Sequence, residues 1–186
     1  MNIEPTTTAT VAEQPIVWKK FEDARPYTSV IGFAFDEHGR FPIFFRSNKV
    51  RSAKNAWSMP SGLHEIGLPF WHQFKVELKE ELNIEMDTGP IHKIGFYENI
   101  IRSVPGEDNW HWVLLLVAAK VKSLGTLMNM EPEKHSDIRV VTVDELYSQY
   151  MDKTWSKNLK EALLEYQPVV RRLVKPSETS PKAVTV

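Results

Sequence analysis

Three glutamates in one segment, Glu77, Glu80 and Glu81, have the spacing of a group that could hold a metal ion. Residues three and four positions apart lie on the same side of an α-helix, so the three carboxylates would lie close together. Such carboxylates repel one another, and partial burial increases the cost. A divalent cation with oxygen ligands would offset that cost. The alternative from these residues alone is a solvated, glutamate-rich helix face.

The surrounding residues predict the elements that would position these carboxylates. Apolar side chains recur at helical spacing through the segment, at Phe70, Phe74, Leu78 and Leu82. Residues 57–62 read as a short strand that ends in a Pro/Gly loop, and Pro69 stands at the expected first helical position. A strand, a glycine loop and a helix with clustered carboxylates would together form a platform for a cation and a phosphate group.

Residues 62–84 resemble the Nudix box, whose pattern is G-x5-E-x7-R-E-U-x-E-E-x-G-U, where U is a bulky aliphatic residue. The residues that match in register are Gly62, Glu77, Leu78, Glu80, Glu81 and Ile84. The resemblance implies an α/β fold, the Nudix-type α/β/α sandwich with a mixed β-sheet between helices. It also implies an enzyme that hydrolyses phosphoanhydride bonds with Mg²⁺ as cofactor, or with Mn²⁺ as the alternative ion.

Three positions depart from the box. Its isolated Glu is Leu68 here, its Arg is Val76, and its final Gly is Asn83. Asn is the next best residue for the left-handed conformation that ends many helices, so the last change is mild. An acidic and a basic residue are both exchanged for aliphatic ones, and joint replacement of a charged pair is often tolerated. We therefore interpret Leu68 and Val76 as a repacked support that keeps the metal-binding carboxylates.

The resemblance also assigns roles to individual residues. The implied metal ligands are Glu77, Glu80, Glu81 and the backbone carbonyl of Ser61, just before the box glycine. For Glu80 the alternative is a solvated neighbour of the other two glutamates. The predicted catalytic residues are Glu77, Glu80 and His135. The histidine lies in a predicted loop, Glu131–Asp137, that would approach the metal site and resembles the equivalent loop of nucleotide-directed Nudix enzymes. His135 itself resembles the catalytic loop histidine of the GDP-mannose mannosyl hydrolase branch. An imidazole suits general base catalysis near neutral pH, and an ordinary charged surface turn is the alternative.

Substrate-binding residues are predicted in and beside the loop before the box strand. Arg46, Lys49 and Arg51 are the candidate phosphate contacts, because relatives of this family place cations there. Some of these side chains would instead be ordinary solvent-facing charges. Trp57 is a candidate for stacking on a nucleotide base. Its alternative role is that of a core residue, which is common for aromatic side chains in strands.

Composition limits the architecture to one domain. The chain has 186 residues, of which 42% are hydrophobic, enough for one substantial core. We predict a disordered tail at 1–15, a Nudix hydrolase domain at 16–173 and a second disordered tail at 174–186. The remaining elements are predicted as a hairpin of Ser29–Asp36 and Phe41–Arg46, strands Ile91–Arg102, Trp110–Val121 and Ile138–Thr142, and helices Val143–Tyr150 and 154–166.

Charge and cysteine content exclude several classes of function. The net charge of −1 argues against a general nucleic-acid binder, which usually carries a basic excess. The absence of cysteine excludes disulfides, thiolate zinc sites and thiol nucleophiles. No signal-like segment follows Met1, and no apolar run approaches the roughly 18 residues of a membrane span, so no membrane partner is expected. A cytoplasmic location is the expectation.

The predicted activity is hydrolysis of the diphosphate linkage of a nucleoside diphosphate derivative, most simply a nucleoside or deoxynucleoside triphosphate. A nucleotide-sugar hydrolase is the main alternative within that class. A Nudix domain that has lost turnover and binds nucleotides as a regulatory module is a further alternative, which the loss of the box Arg supports. The expected partner is a small-molecule nucleotide, and the family resemblance adds the prospect of a homodimer.

Overall fold

The structure is a computed structural model that describes residues 26–50, 52–101, 110–156 and 158–177. Its strands are β1 (Tyr27–Phe35), β2 (Phe41–Arg46), β3 (Ala56–Ser58), β4 (Ser61–Leu63), β5 (Met86–Ile101), β6 (Trp110–Val121) and β7 (His135–Val141). Its α-helices are α1 (Phe70–Leu82), α2 (Val143–Glu145), α3 (Leu159–Glu165) and α4 (Gln167–Leu173). A π-helical turn, Leu146–Tyr150, continues α2.

The strands form two sheets. One sheet is mixed and has the order β4-β1-β6-β5, in which β1 runs parallel to β6 and the other neighbours are antiparallel. The second sheet is antiparallel and has the order β3-β2-β7. The predicted α/β class with a mixed sheet is confirmed.

Both faces of the mixed sheet are covered, which explains the near-continuous apolar sequence of its central strands. Val30 and Ala34 of β1 pack with Phe74 and Leu78 of α1 on one face. Ile31 and Phe33 point to the opposite face and pack with residues of α3 and α4, among them Leu159, Leu163 and Val170. The alternation of side chains along β1 therefore places one helical layer on each side of the sheet.

The predicted hairpin of β1 and β2 is wrong, although its turn is present. The turn closes where the backbone N–H of Asp36 donates to the carbonyl of Arg40 at 2.9 Å. Its two strands then enter different sheets, β1 beside β6 and β2 beside β7. The physical reason is that β1 is buried, pairs along its whole length with β6 and pairs at Ser29–Ile31 with β4, so its partners are strands other than β2.

The other predicted elements differ mainly at their ends. Strand β6 has the predicted bounds, whereas β5 begins at Met86, before the predicted Ile91. Strand β7 begins at His135, inside the predicted loop. The predicted helix at 154–166 begins only at Leu159, and Gln167–Leu173 forms a separate helix after it.

The end of helix α1 confirms the prediction made for Asn83. This residue has φ 54° and ψ 32°, the left-handed conformation that glycine adopts at this position of the box. The backbone N–H of Ile84 donates to the carbonyl of Leu78 at 3.0 Å and closes the helix. Pro69, predicted as the first helical residue, is instead the extended residue immediately before the helix.

The described ends of the chain do not test the predicted tails. Residues 1–15 and most of 174–186 lie outside the described residues, and the domain division stays a prediction. Val174 is buried in the core beside α4, and the backbone N–H of Ser177 donates to the carbonyl of Glu37 at 2.7 Å. Among the described residues, none of the helices combines the length and the apolar character that crossing a membrane would require.

Candidate active site

The box glycine, Gly62, lies directly against the carboxylate of Glu77. A Cβ atom at Gly62 would overlap the carboxylate of Glu77, whose Oε1 and Cδ are the nearest atoms to that position. The requirement for glycine is therefore steric, since Gly62 does not have the positive φ that only glycine adopts easily. Strand β4 and helix α1 approach closely enough for the Glu77 side chain to rest on the glycine backbone.

Gln73 fixes the orientation of Glu77. Its Nε2 donates to Oε1 of Glu77 at 2.7 Å, one helical turn along α1. Its Oε1 accepts the backbone N–H of Glu65 at 3.4 Å, so the same side chain also contacts the loop before the helix. Gln73 is buried, with 4% of its surface exposed. Burial raises the pKa of the half-buried Glu77 carboxyl group, and the Gln73 hydrogen bond partly opposes that rise.

Glu81 is the most buried of the three glutamates. Only 6% of its surface is exposed, and its Oε2 accepts the backbone N–H of Ser61 at 3.2 Å. Burial raises the pKa of this carboxyl group well above its usual value, and the negative charge of Glu77 raises it further. A carboxylate at such a position needs compensating charge, which a bound cation would provide.

Helix α1 ends against the loop between β6 and β7, and this contact brings the loop to the site. The backbone N–H groups of Met128 and Met130 donate to the carbonyls of Leu82 and Glu81, each at 3.0 Å. The last carbonyls of an α-helix have no partner within the helix, and here the loop supplies one. Glu131 follows at once, and its carbonyl accepts the backbone N–H of His135 at 3.0 Å.

His135 enters the same site from the start of β7. Its ring stacks on Phe44, with 3.9 Å between ring centroids and 24° between planes. Its Nε2 lies 3.9 Å from Oε1 of Glu81, and the residue is 1% exposed. Burial lowers the pKa of His135 to about 4, so the imidazole is neutral at pH 7. The segment that holds His135 thus lies next to Glu81, with His135 in a strand, and the catalytic role of this residue stays a prediction.

Three groups at this point lie close enough together to share one metal ion. One ligand atom each from Glu81, Glu131 and His135 lies within 4.8 Å of the other two. Among the described residues, both ring nitrogens of His135 and Oε2 of Glu131 are buried and have no hydrogen-bond partner. Buried polar atoms without partners are rare and costly, and a metal ion would satisfy them. The residues present therefore fit a divalent cation.

Glu80 and Ser61, the other two predicted metal ligands, have different surroundings from Glu77 and Glu81. Glu80 is exposed and lies outside the cluster of Glu81, Glu131 and His135, although it is close enough to raise the pKa of Glu77. Ser61 contacts the site through its backbone N–H, which donates to Glu81. The ligand roles predicted for the Glu80 carboxylate and the Ser61 carbonyl stay predictions.

Among the predicted phosphate contacts, Arg46 adjoins the cluster. It pairs with His135 across β2 and β7, and its guanidinium donates to the carbonyl of Ser52 through Nε at 3.3 Å and Nη2 at 3.2 Å. Its pKa is lowered by burial, while the charges of Glu81 and Glu131 act in the opposite direction.

The other three predicted substrate contacts have different surroundings. Lys49 is exposed and forms an ion pair with Glu133 at 2.8 Å. Arg51 lies outside the described residues. Trp57 packs edge-to-face against Phe45 and Tyr150, with centroid separations of 5.5 and 5.0 Å, and adjoins the core. These contacts agree with the alternative role of Trp57 as a core residue, and its stacking on a base stays a prediction.

The loop before α1 is held by a residue that the sequence analysis did not single out. The ring of His64 stacks on Phe70, with 4.0 Å between centroids and 15° between planes. Its Nε2 donates to the carbonyl of Leu68, and its Nδ1 lies 3.5 Å from the hydroxyl of Thr28. Leu68 and Val76, which replace the charged residues of the box, are both half-buried. His64 thus supplies a polar connection across this loop.

Several solved structures are similar in fold to this chain. A MutT NUDIX hydrolase from Burkholderia pseudomallei matches at 21% identity and a TM-score of 0.53, over 65% of this chain and 86% of that one. A mutator MutT protein from Bacillus halodurans matches at 17% identity and 0.57, over 80% and 85%. A NUDIX hydrolase from Nitrosomonas europaea matches at 12% identity and 0.57, over 85% and 97%.

The chain has the Nudix fold. No protein-family model matches its sequence, and a search of curated proteins found no match. At the identities of the structural matches, the likeness establishes the fold, and the chemistry must be argued from the residues of the site. Residues that match the box are in contact at the site. Gly62 lies against Glu77, and the backbone N–H of Ser61 in β4 donates to Glu81.

Sequence reasoning missed three residues of the site: Gln73, His64 and Glu131. Gln73 could have been found, because it stands four residues before Glu77 on the same helix. Glu131 was included in the predicted loop but was not singled out as a site residue. The sequence carries no signal for its proximity to Glu81, because fifty residues separate the two glutamates.

Proposed function

We propose that the protein is a divalent-cation-dependent hydrolase that cleaves the diphosphate linkage of a nucleoside diphosphate derivative. The simplest substrate of this class is a nucleoside or deoxynucleoside triphosphate, cleaved to a monophosphate and pyrophosphate. The observation that carries the proposal is the buried Glu81 carboxylate, oriented by Ser61 and adjacent to Glu77 on the box helix of a Nudix fold.

The proposed ligands of the cation are the carboxylates of Glu77, Glu80 and Glu81 and the carbonyl of Ser61. When bound, Mg²⁺ or Mn²⁺ neutralises charge on phosphoryl oxygens and makes a water molecule more acidic. The chain itself holds these ligands in place. Gly62 leaves room for the Glu77 carboxylate, and the Gln73 amide orients it. Preorganised ligands of this kind reduce the reorganisation needed during the reaction.

Proton transfer and phosphate binding are assigned to different groups. Glu77 is the proposed proton acceptor among the box glutamates, because its carboxylate is half-buried and oriented by Gln73, whereas Glu80 is exposed. Arg46 is the proposed contact for a non-reacting phosphate, because it is half-buried near the carboxylates and a guanidinium matches phosphate geometry. The catalytic roles predicted for Glu80 and His135 remain proposals.

A nucleotide-sugar hydrolase is the second candidate. The observation that favours it is the position of His135, which shares a cluster with Glu81 and Glu131, together with its resemblance to the catalytic loop histidine of the GDP-mannose mannosyl hydrolase branch. A nucleotide-binding module without turnover is the outcome expected if the changes at Leu68 and Val76 disable the site. A cytoplasmic location and a homodimer stay predictions from the sequence.

The test is a hydrolysis assay on purified protein. A panel of nucleoside triphosphates, nucleotide sugars and dinucleoside polyphosphates is incubated with Mg²⁺ or Mn²⁺, and the products are separated by ion-exchange chromatography. Wild type is compared with Glu81→Gln, which keeps the shape of the side chain and removes its charge. Glu85→Gln is the matched control, because Glu85 follows the same helix and is exposed beside Lys79 and Lys122.

The proposal predicts release of a nucleoside monophosphate that requires the added cation and is lost in Glu81→Gln. The control variant should turn over at the wild-type rate. Cleavage of nucleotide sugars in preference to triphosphates would identify the second candidate. Thermal stabilisation by nucleotides without product would identify the binding module and overturn the proposed hydrolase. Turnover that persists in Glu81→Gln would also overturn the proposed site.

A further inference from the structure

We propose that Glu81, Glu131 and His135 form a binding site for a divalent transition-metal ion, with nitrogen and oxygen ligands. The inference rests on the proposed function in one respect, since it names the class of ion that this active site selects. Three separate elements supply the ligands: helix α1, the loop before β7, and the first residue of β7. The remaining carboxylates of the box, Glu77 and Glu80, lie earlier on the same helix.

The separations between the three groups suit a common metal ion. Their ligand atoms lie within 4.8 Å of one another, and Nε2 of His135 is 3.9 Å from Oε1 of Glu81. Ligands about 2.0–2.2 Å from a tetrahedral ion are separated from each other by about 3–4 Å. The observed groups would therefore need only small movements to share an ion. The 3.9 Å contact is too long for a direct hydrogen bond.

The cluster contains buried polar atoms that have no hydrogen-bond partner among the described residues, and a metal ion would satisfy them. Both ring nitrogens of His135 are buried and lack a partner among the described residues, and so does Oε2 of Glu131. The other oxygen of Glu131 accepts from Nζ of Lys134 at 2.6 Å, so only one of its oxygens is engaged. Leaving such atoms buried without partners costs free energy that metal coordination would recover.

The imidazole is fixed in the cluster. Its side chain is fully buried and stacks on Phe44, which itself packs with Phe74 and Leu78 in the core under α1. The amide of Asn129 donates to the backbone carbonyl of His135 at 2.7 Å and holds the strand end. A ring held in this way cannot turn its nitrogens to solvent without disturbing the core. The surroundings therefore favour binding of an ion at the buried nitrogens of the imidazole.

The donor set determines which ions would bind. Mg²⁺ prefers oxygen ligands and keeps several waters, whereas imidazole suits transition metals such as Zn²⁺. Two carboxylates and one imidazole are a set that Mn²⁺, Co²⁺ and Zn²⁺ accept readily. Glu81 belongs both to this set and to the box, with its Oε2 toward Ser61 and its Oε1 toward His135. An ion at the cluster would therefore lie beside the proposed catalytic carboxylates.

The test measures metal binding without substrate. Protein stripped with a chelator is titrated with Co²⁺, Mn²⁺ or Mg²⁺, with calorimetry for affinity and the visible Co²⁺ spectrum for nitrogen coordination. Wild type is compared with His135→Phe, which keeps a ring against Phe44 but removes both nitrogens. The matched control is His92→Gln, an exposed histidine of β5. If His135→Phe does not fold by circular dichroism, Glu131→Gln provides the second variant.

Wild type and His92→Gln should bind Co²⁺ and Mn²⁺ more tightly than Mg²⁺. The His135→Phe variant should lose at least about tenfold in affinity for Co²⁺ and Mn²⁺, while its weaker Mg²⁺ binding changes little. Glu131→Gln should likewise lose more affinity for Co²⁺ and Mn²⁺ than for Mg²⁺. Equal affinities in wild type and the variants, or tighter binding of Mg²⁺ than of Co²⁺ in wild type, would overturn the proposal.

The same variants separate this inference from the proposed function. Binding of Co²⁺ that depends on His135, in a protein that hydrolyses nothing in the panel, would support the metal site and overturn the hydrolase. Hydrolysis with unaltered metal affinity in His135→Phe would support the hydrolase and overturn the metal site. Loss of turnover in His135→Phe with unaltered affinity would overturn the ligand role and support the base role predicted from the sequence.

Discussion

Gln73 donates from Nε2 to Oε1 of Glu77 at 2.7 Å, while its own Oε1 accepts the backbone N–H of Glu65 at 3.4 Å. One buried amide thus connects the loop before α1 to Glu77. Because the two bonds use opposite ends of the amide, they also fix which way it points. The orientation of a proposed catalytic carboxylate therefore depends on a neutral neighbour on the same helix.

Replacing Gln73 by Met should reduce activity while preserving the fold. The side chains have similar length, but Met cannot donate to Glu77, so the carboxylate loses its orienting bond. Loss of a partner that orients a ligand typically reduces activity or metal affinity by about 10–100-fold. The measurement is kcat and KM for the best substrate of the panel, and the reduction should appear in kcat.

Lys75→Met is the control for this substitution, because Lys75 is an exposed neighbour on the same helix. Circular dichroism and thermal unfolding check that both variants fold. A Gln73→Met enzyme with wild-type kcat would show that Glu77 is oriented without the amide.

Gly62→Ala should displace Glu77. The added Cβ would overlap the carboxylate, so that side chain or the adjoining strand β4 must move. A misplacement of about 1 Å in a catalytic group can cost about 100-fold in rate. The assay is hydrolysis under saturating cation, followed by a titration with Mg²⁺ to detect weaker binding.

Gly89→Ala controls for the general effect of replacing a glycine in this protein. An alanine Cβ at Gly89 would have no neighbouring atom within 4 Å, so activity should be unchanged. Equal activity of Gly62→Ala and Gly89→Ala would refute the steric role assigned to the box glycine.

Restoring only the acidic residue of the box, by Leu68→Glu, should not raise activity. Position 68 is half-buried, and a lone carboxylate there would have no arginine at position 76 to pair with. Burial of an unpaired polar group costs about 1–3 kcal/mol in protein mutational data, so chemical denaturation should show lower stability. The double variant Leu68→Glu/Val76→Arg should regain part of that loss.

The two single variants and the double variant form a thermodynamic cycle that measures the coupling of the two positions. Rates and unfolding free energies are determined for all four proteins. An increase in activity from Leu68→Glu alone would contradict the interpretation of Leu68 and Val76 as a repacked support.

The buried imidazole should make the metal-free protein sensitive to acid. Its pKa is lowered to about 4 in the folded protein, against 6.5 for an ordinary histidine. The unfolded chain therefore binds more protons between these values, so His135 contributes stability above pH 6.5 that is lost as the pH falls toward 4. The full difference corresponds to about 3 kcal/mol at about 1.4 kcal/mol per tenfold change.

Urea denaturation with a chelator, at several pH values from 7 to about 4, measures this effect. The comparison is between wild type and His135→Phe, because the raised pKa of Glu81 acts with the opposite sign and remains in both proteins. Glu131, Arg46 and Lys134 also face the imidazole and are unchanged in the variant. Parallel pH profiles for the two proteins would contradict the effect assigned to His135.

The box and its helix could be predicted from the sequence because their signals are local. Helical periodicity placed α1, and the known preference of Asn for the left-handed conformation predicted the role of Asn83 at its end. The prediction of a β1–β2 hairpin was wrong because strand pairing is not a local property. A turn is a local feature, but the choice of sheet for each strand depends on partners distant in the chain, such as β6 for β1.

The sequence by itself determined the register of the glycine and glutamates in the box, the helix that carries them and the α/β class. Only the tertiary structure decided which of those carboxylates is buried and what meets it. Glu131 and His135 reach Glu81 because the loop before β7 bonds to the last carbonyls of α1, and β7 pairs with β2. Such contacts arise from packing between segments that are about fifty or more residues apart in the sequence, which no local pattern of side chains records.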